Sequence, residues 1–373
     1  EPIVTVRGPA IEAQFIETMI LLTINHQSLI ATKANRIVRA AQGRPVMEFG
    51  ARRAQGFDGA IYGARAAYIG GCCGTASTLC ARKFDIPPMG TMAHSWVQLF
   101  DSELEAFRAY ARAYPSQCTL LVDTYNVLKS GIPNAIRVFN EELLPRGYRP
   151  AGIRIDSGDI TYLTRHARKM LDDAGYEDCS ICASNSLDEF TIRDILMEGA
   201  CVDSFGVGER MITSSSEPVF GGVYKLAGIE DEHGNIIPKI KISENLQKFN
   251  TVLQKIMAEY DKTSGKPNAD VVTLFDEVID DSKPYTIFDP VNTWKRKTVE
   301  SFRAVPLRQQ IFKHGKNMTT PKSLQEIQAY CKEQVNTLWP EVLRFDHPHK
   351  YYVDLSQKLW NIKAELLQKN NSK

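Results

Sequence analysis

Hydrophobic residues recur along the chain with two different spacings. From Ile11 to Ala41 they return every three to four residues, which predicts one long helix, with room for a bend, that stops before Gly43. Beyond it, short runs rich in β-branched and apolar residues alternate with helix-like segments at intervals of roughly 25 to 35 residues. The alternation predicts an α/β fold built from repeated strand–helix units.

The central part of the chain supplies most of these units. Seven apolar runs are predicted as its strands: Val46–Phe49, Tyr68–Cys73, Pro88–Met92, Thr119–Val122, Gly152–Ile155, Ser180–Ala183 and Ser204–Val207. The segments between them that have helical spacing are 58–68, 75–84, 102–114, 134–144, 161–175 and 187–199. An eighth short run, Pro2–Val6, also has the pattern of a strand.

The pattern changes after about Pro218. Residues 221–243 predict an antiparallel hairpin that turns at His233–Asn235, and residues 244–261 predict a helix or an irregular loop. Further strands are predicted over 270–277 and 284–290, and the tail from Ser323 has helical and charged stretches expected to pack on the outside. The predicted division is a lead-in strand and helix (1–45) that ends a missing N-terminal domain, a β/α core (46–218), and a region of hairpin, strands and helices (219–373).

Composition narrows the class of protein. With 43% hydrophobic and 24% charged residues the chain can bury a large core, and a formal net charge of +1 argues against a surface built to bind nucleic acid. No apolar run approaches the ~20 residues of a membrane span, and no secretory leader is recognisable, so we expect a cytoplasmic protein without a membrane partner. Of the eight cysteines, Cys72 with Cys73 and Cys179 with Cys182 are expected to be buried free thiols, because they lie in apolar stretches without a second CxxC or a nearby histidine pair to complete a metal site.

Polar or glycine-rich residues follow directly on several predicted strands. They are Gly50 to Arg53, Asp123 with Thr124, Asp156 to Asp159, Ser184 with Asn185, and Gly208. The carboxyl ends of barrel strands meet at one mouth, so a TIM-like, incomplete β/α barrel with an additional antiparallel β portion and C-terminal helices is expected. An open doubly wound sheet would gather the same residues at its edge.

The segment "GIRIDSGD" brings unlike charges to one strand end. Arg154 and Asp156 lie two residues apart, hence on one side of a strand, and Asp159 follows. Carboxylates can hold ribose hydroxyls or hydrated Mg²⁺, and arginine pairs with carboxylates and phosphates through two hydrogen bonds. The alternative is a structural ion pair beside a helix N-cap.

Three other segments carry candidate chemistry. Gly206 and Gly208 in "SFGVGERMITS" expose backbone where an anion could approach, although the segment lacks a full phosphate-loop pattern. In "MEFGARR", the ring of Phe49 beside Arg52 and Arg53 suits a flat anionic ligand, or the arginines simply face solvent. In "GTMAHSWV", His94 lies between a glycine and a tryptophan with hydroxyls on both sides, and it is either a structural imidazole or a nucleophile.

Taken together in this order, "EFGARR", "GTMAHS", "RIDSGD" and "FGVGERMITS" closely resemble the nicotinate phosphoribosyltransferase family, from about Val4 to the C-terminus. The resemblance implies transfer of a phosphoribosyl group from phosphoribosyl diphosphate to nicotinate, coupled to ATP hydrolysis, with Mg²⁺ as cofactor. It also implies a homodimer with composite active sites. The histidine matched by His94 is the one that ATP phosphorylates in this family, and its phosphoramidate is a labile, high-energy carrier.

The same resemblance implies roles for the remaining motif residues. Phe49, Thr91 and Arg154 are expected at nicotinate, Arg52 near nicotinate or the diphosphate, and Asp156 and Asp159 at the ribose or, indirectly, at Mg²⁺. The residues expected at the phosphate and ribose are Ser157, Gly158, Asn185, Gly206, Gly208 and Thr213.

Two alternatives remain open from the sequence. A nicotinamide-using relative carries an acidic residue near the strand end matched here by Cys72 to Thr75, "CCGT", which favours the acid substrate. A non-catalytic sugar-phosphate-binding barrel would keep a phosphate cradle without needing His94. Relatives also carry an N-terminal aromatic residue that stacks on nicotinate, and Glu1 to Gly8 contain none.

Overall fold

The computed structural model describes residues 2–241, 254–261, 265–289 and 291–371. Contacts divide the chain into two units. The larger unit consists of Thr23–Gly221 and Ser323–Lys332, and the smaller unit consists of Glu1–Leu22, Gly222–Lys322 and Glu333–Lys373. Each unit has an apolar core of its own, around Ala64 and Tyr68 in the larger unit and around Val271 and Phe302 in the smaller one.

The larger unit is organised by a six-stranded sheet in which every pair is parallel. Its strands are β1 (Val46–Glu48), β2 (Gly74–Thr75), β3 (Thr119–Leu121), β4 (Gly152–Ile155), β5 (Ser180–Ser184) and β6 (Ser204–Val207). The order across the sheet is β2-β1-β6-β5-β4-β3. The predicted α/β class is confirmed, but β2 and β3 do not pair with each other among the described residues, so no closed barrel is observed.

Twelve α-helices occur in the described residues. They are α1 (Ala10–Phe15), α2 (Glu17–Ala40), α3 (Phe57–Ile69), α4 (Thr78–Phe84), α5 (His94–Gln98), α6 (Glu103–Ala113), α7 (Ile132–Val138), α8 (Ile160–Asp173), α9 (Glu189–Met197), α10 (Glu209–Ile212), α11 (Leu324–Thr337) and α12 (Gln357–Asn371). Short 3-10 turns cover Ala51–Arg53, Pro115–Gln117 and Leu144–Arg146, and π-helical turns cover Val127–Gly131 and Phe139–Leu143. The long predicted helix is present with a break at Ile16, and each of the six predicted central helices is found within a few residues of its expected span. None of the helices in the described part of the chain is long and apolar enough to cross a bilayer.

The helices of the larger unit begin and pack as their sequences dictate. Ser77, Ser102, Asp159 and Asp188 accept hydrogen bonds from backbone N–H groups in the first turns of α4, α6, α8 and α9. On α8 the buried residues Ile160, Thr164, Ala167 and Leu171 recur at helical spacing, so one face packs inward and the charged face meets solvent.

Three strand predictions in the first hundred residues are wrong. No strand forms over Pro2–Val6. The run Tyr68–Cys73 is instead the end of α3 and a turn, because Ala64 and Tyr68 continue the buried face of that helix; a short apolar run does not distinguish the two structures. Pro88–Met92 makes only one parallel bridge, Pro88 to Thr75, since proline has no N–H to donate to a ladder.

The smaller unit is antiparallel for the most part. Its strands are β7 (Gly228–Glu230), β8 (Ile236–Pro238), β9 (Gln254–Asp261), β10 (Pro267–Leu274), β11 (Tyr285–Phe288), β12 (Arg296–Val299), β13 (Phe302–Pro306), β14 (Phe312–Lys313), β15 (Lys316–Asn317) and β16 (Val353–Leu355). The hairpin predicted at His233–Asn235 is confirmed as β7 and β8. The helix or loop predicted over 244–261 is wrong for its last eight residues, which form β9 between β10 and β13; pairing with distant strands overrides the local pattern. Residues 244–253 lie outside the described residues.

Candidate active site

The carboxyl ends of the parallel strands gather polar residues at one edge of the sheet. Phe49 follows β1, Asp123 follows β3 by two residues, Asp156 follows β4, and Ser184 ends β5. Strands that run in the same direction end at the same edge, so these side chains converge as the sequence predicts.

Arg154 is the centre of this cluster. Its Nε donates to Ser184 Oγ at 2.8 Å, Nη1 donates to Thr91 Oγ1 at 2.9 Å, and Nη2 donates to Asp156 Oδ1 at 3.0 Å. The guanidinium carbon lies 5.2 Å from the centre of the Phe49 ring, and the side chain is only 15% exposed. A guanidinium has five N–H groups, so this one is held in a fixed orientation and still has two N–H groups for a ligand.

Phe49 fits beside Arg154 because of a glycine on the neighbouring strand. A Cβ atom at Gly206 would lie 2.5 Å from Cδ2 of the Phe49 ring, which is closer than packed atoms approach. Gly206 on β6 is directly opposite Ser184 on β5. This glycine therefore leaves the space that the aromatic ring occupies, and the phosphate contact expected for it from the sequence stays a prediction.

Asp156 and Asp123 form the acidic part of the site. Asp123 Oδ2 accepts the backbone N–H of Asp156 at 3.0 Å and the hydroxyl of Ser157 at 2.6 Å. Burial acts to raise the pKa of Asp156, but the hydrogen bond from Ser184 and the charge of Arg154 outweigh it, so the pKa lies below that of an ordinary aspartate. Asp156 is therefore an anion at neutral pH.

His94 begins α5 and faces both carboxylates. Its Nε2 lies 3.6 Å from Asp156 Oδ2 and 3.9 Å from Asp123 Oδ1, and its Nδ1 lies 3.2 Å from the hydroxyl of Thr124. The imidazole is 40% exposed, whereas the Asp123 side chain is 1% exposed and its Oδ1 has no hydrogen-bond donor among the described residues. An imidazole that its neighbours hold in a fixed orientation, and that remains partly exposed, can act as a nucleophile.

The remaining predicted residues lie outside this network. Asp159 is exposed and its carboxylate accepts the N–H of Tyr162, so it caps α8 and does not join Arg154 as the sequence suggested. Thr213 donates its hydroxyl to the carbonyl of Glu209 at 2.7 Å, and Gly208 lies against the backbone of Phe49. Arg52 is exposed, and Gly158 and Asn185 have positive φ angles of 83° and 103° in the turns after β4 and β5.

Sequence reasoning gave no role to several residues that support the site. It placed Ser184 and Thr124 among the polar residues that follow strands, but only the folded sheet turns their hydroxyls toward Arg154 and His94. Glu48 is fully buried, accepts hydrogen bonds from Thr75 Oγ1 and the Gly50 N–H, and has a pKa raised by burial. A glutamate inside the apolar run Val46–Phe49 was the available signal for it.

The chain matches two protein-family models. The model described as the nicotinate phosphoribosyltransferase (NAPRTase) family matches residues 45–263, and the nicotinate phosphoribosyltransferase C-terminal domain matches residues 255–363. The first range includes every residue of the site described above.

Individual proteins agree with the family models. The chain is 41% identical to the nicotinate phosphoribosyltransferase of Bacillus subtilis over 100% of its own length and 76% of that protein. It is 33% identical to the nicotinate phosphoribosyltransferase of Dictyostelium discoideum, over 96% of this chain and 69% of that one. The crystal structure of human nicotinic acid phosphoribosyltransferase superposes with a TM-score of 0.80 at 26% identity, covering 96% of this chain and 78% of that chain.

These matches confirm the predicted enzyme class and favour it over a nicotinamide-using relative or a non-catalytic barrel. By its family models, its identity to the bacterial relative and its fold, the chain belongs to the nicotinate phosphoribosyltransferase family, a family of enzymes of NAD biosynthesis.

Proposed function

We propose that this enzyme couples phosphoribosyl transfer to ATP hydrolysis through a phosphohistidine at His94. The observation that carries the proposal is the setting of the imidazole, which is 40% exposed and has Asp123 and Asp156 facing Nε2. Neutral imidazole is a competent nucleophile near pH 7. In the proposed step a ring nitrogen forms a bond to the γ-phosphorus of ATP, and the bond from that phosphorus to the oxygen of ADP breaks.

Nicotinate is proposed to bind against Phe49, with its carboxylate paired to Arg154 near Thr91. The two N–H groups of Arg154 that remain after its three internal hydrogen bonds can pair with the two oxygens of a carboxylate. A carboxamide offers one acceptor and turns a donor toward the cation, so the same site disfavours nicotinamide.

The phosphoribosyl diphosphate is proposed to occupy the more exposed rim of the strand ends. Its reacting carbon gains positive charge as the diphosphate leaves, so the anionic Asp156 stabilises the transition state. The proposed rim residues for phosphate and ribose are Arg52, Ser157, Gly158, Asp159, Asn185, Gly208 and Thr213. Gly206 contributes indirectly, through its contact with Phe49.

Mg²⁺ is proposed to enter with the diphosphate. No cluster of three or more histidine, cysteine or acidic side chains suited to a metal exists in the described residues, which argues against a site made of protein ligands alone. Mg²⁺ needs only one or two carboxylates, often through water, when phosphates supply the other oxygens. Asp156, whose Oδ2 is free of Arg154 and Ser184, and Asp159 fit that indirect role, and the ion would neutralise charge on the departing diphosphate.

The sheet order supports an incomplete TIM-like barrel. Starting from β3, the strands follow as β3-β4-β5-β6-β1-β2, so the last strand pairs with the first, as in a barrel. In a doubly wound sheet the strand order reverses at β1 and the last strand lies at an edge, so β6 would not pair with β1 as it does here. The opening lies between β2 and β3, on the chain segment that includes Pro88.

A homodimer in the cytoplasm is also proposed. Ile11, Phe15, Met19 and Leu22 recur at helical spacing along α1 and the start of α2, and each is more than half exposed, Phe15 to 87%. An exposed apolar stripe of this kind suits a protein interface, here with a second copy of the chain. All eight cysteines are free thiols, which suits a reducing compartment.

The phosphohistidine is tested with γ-labelled ATP. The wild-type enzyme is expected to acquire an acid-labile label and to hydrolyse ATP during turnover, while His94→Asn acquires no label and yields less nucleotide. His166→Asn is the matched control, because His166 lies on α8 with its Nδ1 bonded to the carbonyl of Tyr162. Label on the His94→Asn protein, or unchanged ATP consumption by it, contradicts the proposal.

A further inference from the structure

The last residue of β5 connects the two charged groups at the centre of the site. Ser184 is only 2% exposed. Its Oγ accepts a hydrogen bond from Arg154 Nε at 2.8 Å and donates one to Asp156 Oδ1. The directions are fixed by chemistry, since a guanidinium can only donate and an ionised carboxylate can only accept.

This connection determines which N–H groups of Arg154 face the ligand. Nε and Nη2 are used by Ser184 and Asp156, and Nη1 is fixed by Thr91, so the guanidinium presents its remaining N–H groups in one orientation. Asp156 contributes only Oδ1 to Arg154, because its Oδ2 is turned toward His94.

Removal of the Ser184 hydroxyl would change this arrangement in a defined way. Arg154 Nε would lose its acceptor, and Asp156 would lose the hydrogen bond that holds Oδ1. The carboxylate could then rotate and pair with Arg154 through both oxygens, the geometry that carboxylates and guanidinium groups prefer. By closing on Nε and Nη2, Asp156 would turn the guanidinium, and the two N–H groups that the ligand carboxylate needs would lose their orientation.

The sheet holds Ser184 in this position. Ser184 is directly opposite Gly206, the glycine that leaves space for the Phe49 ring, and Arg154 is opposite Cys182, two residues before Ser184 on the same face. The Ser184 hydroxyl, the Phe49 ring and the Arg154 guanidinium therefore lie together at the carboxyl edge of the sheet.

We propose that Ser184 is a positioning residue that sets the preference for nicotinate over nicotinamide by keeping Asp156 from closing on Arg154. The inference rests on the proposed contact between Arg154 and the nicotinate carboxylate. Ser184 acts through Arg154 and does not itself touch the substrate.

The test compares substrate preference in two variants at this position. Ser184→Ala removes the hydroxyl, and Ser184→Cys keeps the shape of the side chain but replaces the hydroxyl with a weak hydrogen-bonding group. In both, the ratio of kcat/KM for nicotinate to kcat/KM for nicotinamide is expected to fall about tenfold, mostly through the nicotinate KM, as for the loss of one charge-assisted contact. Ser180→Ala is the control, because Ser180 begins the same strand and its hydroxyl donates to the carbonyl of Ala151, away from Arg154 and Asp156.

The outcomes separate this inference from the role of Arg154. An unchanged ratio in Ser184→Ala, together with a reduced ratio in Arg154→Lys, overturns the role of Ser184 and leaves that of Arg154 intact. An unchanged ratio in Arg154→Lys overturns the contact with nicotinate on which the inference depends. Equal losses for both substrates with a lower Tm would make Ser184 a structural residue only, and so would a normal ratio in Ser184→Cys.

Discussion

The two halves of the candidate site are built differently. The inner half, made of Phe49, Thr91, Arg154, Asp156 and Ser184, is joined by hydrogen bonds of about 3 Å or less and one cation–π contact. Most of the outer rim has no such network among the described residues: Asp159 caps a helix, Thr213 bonds to its own helix, and Arg52 faces solvent, while Ser157 donates its hydroxyl to Asp123.

The difference matches the positions proposed above for the two substrates. A pyridine carboxylate is small and planar, so discrimination between acid and amide requires donors that are already oriented when it arrives. The phosphoribosyl diphosphate carries many charges and is proposed to bind at the rim together with Mg²⁺, so groups there can pair with it without a fixed network. The comparison predicts large, substrate-specific effects for changes in the inner half and small effects at the rim.

The largest effect is expected for Asp156→Asn, because Asp156 belongs to the inner half and is also proposed to act on the phosphoribosyl diphosphate. The amide keeps the size of the side chain but removes the charge that stabilises the developing ribosyl cation, so kcat/KM for phosphoribosyl diphosphate should fall by ~10² or more. Steady-state kinetics with each substrate varied in turn measures this. Asp178→Asn, at an exposed ion pair with Arg149, serves as control, and a change confined to the nicotinate KM would be the wrong outcome.

Gly206→Ala tests whether the space left by the missing side chain of Gly206 is needed to hold the Phe49 ring in position. The new Cβ would lie 2.5 Å from Phe49 Cδ2, so the ring must shift from its present position 5.2 Å from the Arg154 guanidinium carbon. Overpacking of this kind costs about 1–3 kcal/mol, and we expect the nicotinate KM to rise about tenfold with little change for phosphoribosyl diphosphate. Gly8→Ala, where the added methyl meets nothing within 4 Å, is the control. A rise only in the phosphoribosyl diphosphate KM would instead support a phosphate contact for Gly206.

A smaller effect is expected at Asp159, where two roles can be separated. Asparagine is also a good N-cap, so Asp159→Asn should keep the Tm while raising the phosphoribosyl diphosphate KM about threefold through loss of charge. Asp159→Ala should in addition reduce the free energy of unfolding by ~1 kcal/mol. Thermal melts and steady-state kinetics on both variants test these two roles. A hundredfold rise in the phosphoribosyl diphosphate KM of Asp159→Asn would contradict the prediction and would give Asp159 the importance of an inner-half residue.

The smallest effect is expected for Thr213→Val. The hydroxyl proton is donated to the carbonyl of Glu209, whereas a phosphate oxygen requires a donor. The phosphoribosyl diphosphate KM should therefore change by no more than about twofold. A larger increase would show that the hydroxyl turns toward the phosphate when substrate binds.

Local patterns predicted the strand–helix units and the meeting of Arg154 with Asp156, whereas Thr91 was expected only from the family resemblance. Arg154 and Asp156 alternate on one strand, and polar residues follow directly on apolar runs, so their convergence could be expected. Ser184 and Thr124 could not be assigned in the same way, since a hydroxyl becomes part of the site only through partners 30 residues away in each case. The role of Gly206 depends on a ring from another strand, and β9 depends on pairing with β10 and β13.

The most direct test of the account is the substrate preference of Arg154→Lys. Lysine keeps the charge but cannot make two parallel hydrogen bonds, and it loses the internal contacts with Thr91 and Ser184. Steady-state kinetics measured separately with nicotinate and with nicotinamide should show a rise of about tenfold or more in the nicotinate KM, with the nicotinamide reaction little changed. Equal losses for the two substrates, accompanied by a lower Tm, would mean that Arg154 only braces Asp156 and would contradict the account.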